Sequence, residues 1–241
     1  MDLPDAADVY VPQDYRERPS GIPGAVVWTR DITADSTAPV LPDGCMDLLW
    51  INDRLMVAGP DTRAHHPSAG GNPQVSGIRF FPGTAPALLA IPAHEFRNAR
   101  VDMAAVWSPA LHRHAIDLLT AACTPTAGLE AVARWRSTGA DPVAPAMIRI
   151  VAELRAGTRV ADLADTLGLG TRRLHRMSLD AFGYGPKTLA RILRMQQALA
   201  LARSGTPLAV TAAQAGYSDQ SHLSREIKEL AGVPLTHLLQ R

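Results

Sequence analysis

The chain has 241 residues, 46% apolar, 20% charged and 5% aromatic, which is the balance of an ordinary folded protein and excludes a disordered one. No run approaches the ~18 uninterrupted apolar residues of a spanning helix, and the acidic start MDLPDAADVY lacks the basic and apolar stretches of a secretory signal. Two cysteines, Cys45 and Cys123, cannot build a disulfide framework, and no CxxC offers a zinc site. The expected address is therefore the cytoplasm, with no membrane partner, no metal and no cofactor.

Residues 1–24, rich in Pro and Asp, read as an extended arm without regular structure. Short β-like runs follow. Ala25–Arg30 is β-branched with an aromatic, and Met46–Ile51 follows the turn signal Leu41-Pro42-Asp43-Gly44. Arg54–Ala58 comes directly after Asn52-Asp53, so 46–58 predicts a hairpin with a two-residue turn. Gly59-Pro60 closes it, residues 60–74 are loop by composition, and Val75–Phe81 is a further strand stopped by Pro82-Gly83. Thr84–Ala90 is a short helix candidate. These elements make residues 1–92 a small β sandwich or barrel. Beyond Pro92 the apolar period lengthens, and 93–107, 109–122, 127–137 and 143–156 each read as helix, a connector over 93–146.

Charge divides where the connector ends. Residues 1–146 hold 11 Arg and no Lys against 16 Asp+Glu, a net of −5, whereas residues 147–241 hold 13 basic against 7 acidic residues, a net of +6. Sixteen of the 19 prolines lie in the acidic half, so the two halves read as domains with different partners. A basic half suits a polyanion, although the same charge also serves as plain soluble surface.

Within the basic half, Val160, Leu163, Ala164 and Leu167 share one helix face, Gly168-Leu169-Gly170 makes a turn, and a second helix starts near Thr171 with Leu174, Met177 and Ala181 inward. Its outward positions are Arg172, Arg173, His175 and Arg176. Two helices on a glycine turn, the second armed with arginine, form the helix-turn-helix pattern. A helix end fits the major groove, where arginine grips guanine O6/N7 or holds a phosphate. The pattern recurs in 207–230. There Gly216-Tyr217-Ser218 is the turn, Ser218 or Asp219 the cap, and Leu223, Ile227 and Leu230 the inward face. Gln220, Ser221, Ser224 and Arg225 point outward and suit base recognition. Pro186–Ser204 joins the units as one helix that starts on proline and stops at Gly205. Two copies on a rod of about 27 Å can reach successive major grooves, which recur at about 34 Å. The predicted class is α+β, with a β-rich first half and an all-α double helix-turn-helix in 147–241.

Residues 147–241 resemble the DNA-binding domain of AraC/XylS-type bacterial transcriptional regulators. The stretch Gly216–Gly232, GYSDQSHLSREIKELAG, followed by Val233-Pro234, is similar to that family's second-unit signature. The first unit matches through Leu163-Ala164, Leu174, Arg176, Gly183 and Gly185-Pro186. The resemblance implies that Arg172, His175 and Arg176, with Gln220, Ser221, Ser224 and Arg225, contact promoter DNA. Ser178, Leu223 and Ile227 stand where the family usually carries aromatics, and Phe182 is the candidate to fill the gap beside Ser178. The first half resembles the small β-rich domain of some AraC-like regulators through Leu41–Leu48, Ala58-Gly59-Pro60 and Gly77–Gly83, which implies a cupin-like sensor or dimerisation domain. RNA polymerase, a small-molecule effector and a second copy of the chain are the further candidate partners.

The first half offers weaker candidates. His112-Arg113-His114 has a metal-cupin spacing but lies on a predicted helix, where i and i+2 diverge by about 200°. His65-His66 sits in a polar loop. Cys45 lies between Asp43 and Asp47, which disfavours a thiolate. Arg79 either holds an acidic effector or pairs with Asp47 or Asp43, and Trp28 and Trp50 are core or ligand platform. If a small-molecule site exists, Trp28, Trp50 and Arg79 form it. The alternative function is a cupin-like or Cys45-based alkyl-accepting enzyme fused to a DNA-binding tail.

Overall fold

The computed structural model describes residues 15–32, 39–66, 74–139 and 144–240. The first half contains strands β1 (Tyr15–Pro19), β2 (Ala25–Asp31), β3 (Met46–Ile51), β4 (Arg54–Ala58), β5 (Gln74–Phe80) and β6 (Arg100–Asp102). All pair antiparallel, in the order β1-β2-β5-β3-β4-β6. The expected hairpin is present: Asn52 and Asp53 both take positive φ, 50° and 56°, the geometry of a tight two-residue turn.

Period-2 alternation decides the two faces of this sheet. Val27, Ile78, Leu48, Val57 and Val101 align across five strands as one apolar row. Helices α1 (Ala85–Leu89), α2 (Pro109–Ala121) and α3 (Pro125–Ser137) cover that row with Leu89, Ala115, Leu119, Leu129 and Val132. The second layer of the first half is thus helical, and the strands form one open sheet rather than the two faces of a sandwich or a closed barrel. Gly128 permits the close contact of α3 with Leu119 of α2. Glu130 of α3 then ties down the sheet edge, accepting from Arg18 (2.7 Å), Ser20 Oγ (2.8 Å) and the Gly21 N–H (3.0 Å).

Two local expectations fail here. Tyr15–Pro19 is a paired strand, not part of an irregular arm; its partners on β2 supply hydrogen bonds that composition does not reveal. Residues 93–107 are not a helix but two short 3₁₀ turns around the edge strand β6. Phe96, Met103 and Trp107 recur at near-helical spacing because all three reach one core, while Asn98 breaks the helix with φ 58°.

The second half is all-α: α4 (Pro145–Arg155), α5 (Val160–Thr166), α6 (Thr171–Phe182), α7 (Pro186–Arg203), α8 (Leu208–Gln214), α9 (Gln220–Ala231) and α10 (Leu235–Leu239). The rod α7 serves two cores in succession. Leu189, Ile192 and Leu193 pack with Ile150, Leu163, Leu174 and Phe182, whereas Met195, Ala198 and Leu199 pack with Ala212, Leu223, Ile227 and Leu230. Phe182 does fill the first core beside the fully buried Ser178, and Leu223 and Ile227 are fully buried in the second.

The halves meet through several short segments of the first, among them Gly83, which lies against Phe182 and Met147. Val40 and His65 pair as a bridge, which joins the chain before β3 to the chain after β4. This pair of strands reaches the second helix-turn-helix: Leu41 sits in its core, Ala64 N–H donates to Leu230 O (2.7 Å), and Gln196 of α7 donates to Pro42 O. Farther along, His94 lies 3.4 Å from Asp180, and Gly183 abuts Pro60.

Candidate nucleic-acid interface

Helix α6 is N-capped by Gly170, after a turn in which Gly168 takes φ 61°. Leu174, Ser178 and Phe182 point inward, which leaves Arg172, Arg173, His175 and Arg176 exposed on the first two turns. The His175 ring lies against Gly185 at the start of α7, so it braces the junction as well as facing solvent.

Helix α9 has the same layout with a better cap. Asp219, rather than Ser218, is the N-cap, and its carboxylate accepts from His222 N–H (2.7 Å). That backbone bond holds the Asp219 carboxyl below its usual range. Gln220, Ser221 and Arg225 are exposed and Ser224 is half-buried. Arg225 Nε donates to Ser221 O (3.3 Å), so the side chain lies along the helix with its guanidinium in solvent.

Charge fixes α9 on the rod. Glu226 is buried and takes hydrogen bonds from Arg191 Nε (3.0 Å) and Arg194 Nε (3.2 Å), and Arg194 also lies 4.5 Å from the Tyr217 ring centre. Burial pushes the Glu226 carboxyl up, but the two guanidinium groups outweigh it and leave the group below its ordinary range. Tyr217, in the turn before α9, is thereby locked between the rod and His222.

The first half grips both α6 and α9 at their C-terminal ends, through Asp180 and Gly183 on α6 and Leu230 on α9. Of the eight predicted contact residues, all on their N-terminal halves, seven are exposed and Ser224 is half-buried. Pattern reading missed a further set on the rod. Lys187, Arg191, Arg194 and Gln197 recur at i, i+4, i+7 and i+10 and form its outer stripe. That spacing was the available signal.

In the first half the structure brings together only two of the three effector candidates. Trp28 Nε1 donates to Asp47 Oδ1 (2.7 Å), and Arg79 Nε lies 3.4 Å from Asp47 and 3.5 Å from Asp43. Tyr15 stacks on Trp28. Trp50 points to the opposite face, toward the helices, because its register is one residue out of step with Asp47 and Arg79. Burial opposes the Arg79 charge, but Asp47 and Asp43 outweigh it and keep the group protonated. The Cys45 thiol is pushed up by burial and then by Asp43, which leaves it a poor nucleophile. His112 and His114 are on α2, and His114 packs edge-on against Trp135. Among the described residues no group of three or more His, Cys, Asp or Glu is placed to hold a metal ion, and no helix is long and apolar enough to cross a membrane.

A helix-turn-helix domain model matches residues 163–241, and a domain of unknown function (DUF6597) matches residues 25–102. No curated protein matches the chain. Among solved structures, apo ToxT from Vibrio cholerae is similar over 92% of this chain and 99% of its own, at 13% identity and a TM-score of 0.50. A second ToxT structure covers 94% and 98% at 11% identity, also with a TM-score of 0.50. Both share the two-part fold. A probable AraC family transcriptional regulator from Rhodopseudomonas palustris matches 41% of this chain and 97% of its own, at 22% identity and a TM-score of 0.35. The basic half therefore carries a helix-turn-helix domain, preceded by a β domain that matches a domain of unknown function.

Proposed function

We propose that the chain recognises specific promoter sequences by placing α6 and α9 in successive major grooves of one duplex. The observation that carries this is the arrangement of the two helices. Their arginine- and glutamine-bearing N-terminal ends are exposed, while the rest of the molecule holds their C-terminal ends. The 18 residues of α7 separate the units by about 27 Å at 1.5 Å per residue, against a groove repeat of about 34 Å. Arg172, Arg173, Arg176, Gln220, Ser221 and Arg225 then supply base and phosphate contacts, with Ser224 at the edge and His175 steadying α6. The work is binding in the cytoplasm, with no catalytic step. Residues 15–139 act as one regulatory lobe, since α2 and α3 share the core of the sheet.

Small-molecule control would work through Trp28 and Arg79. Asp43 lies two residues from Leu41 and next to Pro42, which hold the second unit, so a ligand that parts Arg79 from Asp43 acts on that grip. The central test uses a site selected from random duplexes. Arg225→Ala should weaken binding to it by about 1–3 kcal/mol and relax base preference at one position. Wild-type affinity and preference in that variant would refute the placement of α9.

A further inference from the structure

A cleft of about 510 Å³ lies between the two helix-turn-helix units. The end of α4 and the start of α5 form one wall, the end of α8 and its turn form the other, and α7 is the floor. Five cations line it: Arg155, Arg159, Lys187, Arg191 and Arg194. The regulatory lobe meets a different side of the rod, through Leu189, which lies against Gly44, and Gln196, which bonds to Pro42. Positions two apart on a helix diverge by about 200°, so the stripe of Lys187 and Arg194 faces away from that of Leu189 and Gln196. The cleft therefore opens on the side of the rod away from Leu189 and Gln196, the lobe contacts among the described residues. The turn that forms one of its walls leads directly into the DNA-reading end of α9.

The charges in it are unequally committed. Arg191 pairs with Glu226 and Glu229, Arg194 with Glu226, and Arg159 with Asp162. Arg155 and Lys187 have no ion pair among the described residues, so five cations meet three carboxylates and two positive charges are left over. A concave wall with fixed excess positive charge concentrates anions, and a phosphodiester strand is the anion that two groove-bound helices bring past it.

We infer that this cleft binds the DNA backbone between the two half-sites, with Arg155 and Lys187 contacting phosphates and Arg191 and Arg194 forming a floor held rigid by Glu226. The inference rests on the reading that α6 and α9 occupy neighbouring grooves, because the intervening strand then crosses the open side of α7. The contact reads no bases. It adds affinity for any sequence.

The test is fluorescence anisotropy of the full chain, wild type against the double variant R155Q/K187Q, across a salt series. It uses two 30-base-pair duplexes, one carrying the selected site and one random. Each lost phosphate contact should lower the salt slope by about 0.9, so the double variant should lose about 1.8, or about 60-fold in affinity at 0.1 M salt. The ratio of selected-site to random affinity should stay at the wild-type value. Neutral methylphosphonate linkages between the half-sites should weaken the wild type and leave the double variant unmoved. An unchanged slope and affinity in R155Q/K187Q, with site preference and Arg225 dependence intact, would overturn the cleft assignment alone. Absence of any site preference in the wild type would instead overturn the two-groove reading. Tight binding of inorganic phosphate, lost in the double variant, would make the cleft a small-anion site and also overturn the inference.

Discussion

Replacing Glu226 with Gln tests how α9 is held. Its side chain is 9% exposed, and those of Arg191 and Arg194 are 35% and 29% exposed. Removing one member of a fully buried pair costs about 3–5 kcal/mol, because the remaining charge is stranded. Here both arginines keep some water, and Arg191 retains Glu229 at 2.9 Å, so part of that cost is recovered. Glutamine can also still accept from one guanidinium, but its NH2 then faces the other. We expect a loss of about 2 kcal/mol, a guanidinium midpoint shift of about 0.4 M at a slope of ~5 kcal/mol/M. Far-UV circular dichroism follows the helical half. Tryptophan fluorescence follows the other, because Trp28, Trp50, Trp107 and Trp135 all precede residue 140. The dichroism midpoint should move and the fluorescence midpoint should move less. The pH dependence carries a second check. A carboxyl lowered in the folded state stabilises it above the ordinary value of 4.5, and that contribution fades as pH falls below it. The gap between wild type and Glu226→Gln should therefore be full at neutral pH and close on acidification. An unmoved dichroism midpoint at pH 7 would refute the anchoring role.

Glu130 supplies a further acid-sensitive contact. The Arg18 hydrogen bond, opposed by burial and helped by Ser20 and Gly21, brings its carboxyl down to about 2. Its contribution should be complete above pH 4.5 and disappear as pH falls toward about 2, and Glu130→Gln should flatten that part of a fluorescence-monitored stability profile. Gly77→Ala should destabilise the first half by about 1–3 kcal/mol, since the new methyl group meets the Trp28 ring, which is tethered to Asp47. A fluorescence-detected midpoint equal to wild type would show that the ring moves aside freely.

The helical half was legible because its signals are local. Apolar spacing, Gly168 and Gly216 in the turns and Pro186 at the start of α7 specify both units within short windows of sequence. The Asn52-Asp53 hairpin was legible for the same reason. Edge strands β1 and β6 were not, because each is defined by its partner strand rather than by its own composition. The Arg79–Asp43–Asp47 cluster was half-visible: the residue types suggested the pairing, but only register shows that Trp50 lies on the other face. The cleft between the units depends on how four helices converge, which no single window contains.

Leu41 places a side chain of the first half inside the core of the second helix-turn-helix. A residue more than 150 positions upstream completes its apolar interior, whereas the lobe abuts the first unit from outside its core, through Gly44 at Leu189, Gly83 at Phe182 and Pro60 at Gly183. Excising residues 147–241 would leave a leucine-sized hole in the unit that carries Gln220 and Arg225. The lobe thus touches both units, but only the second has a buried side chain of the lobe inside its apolar core.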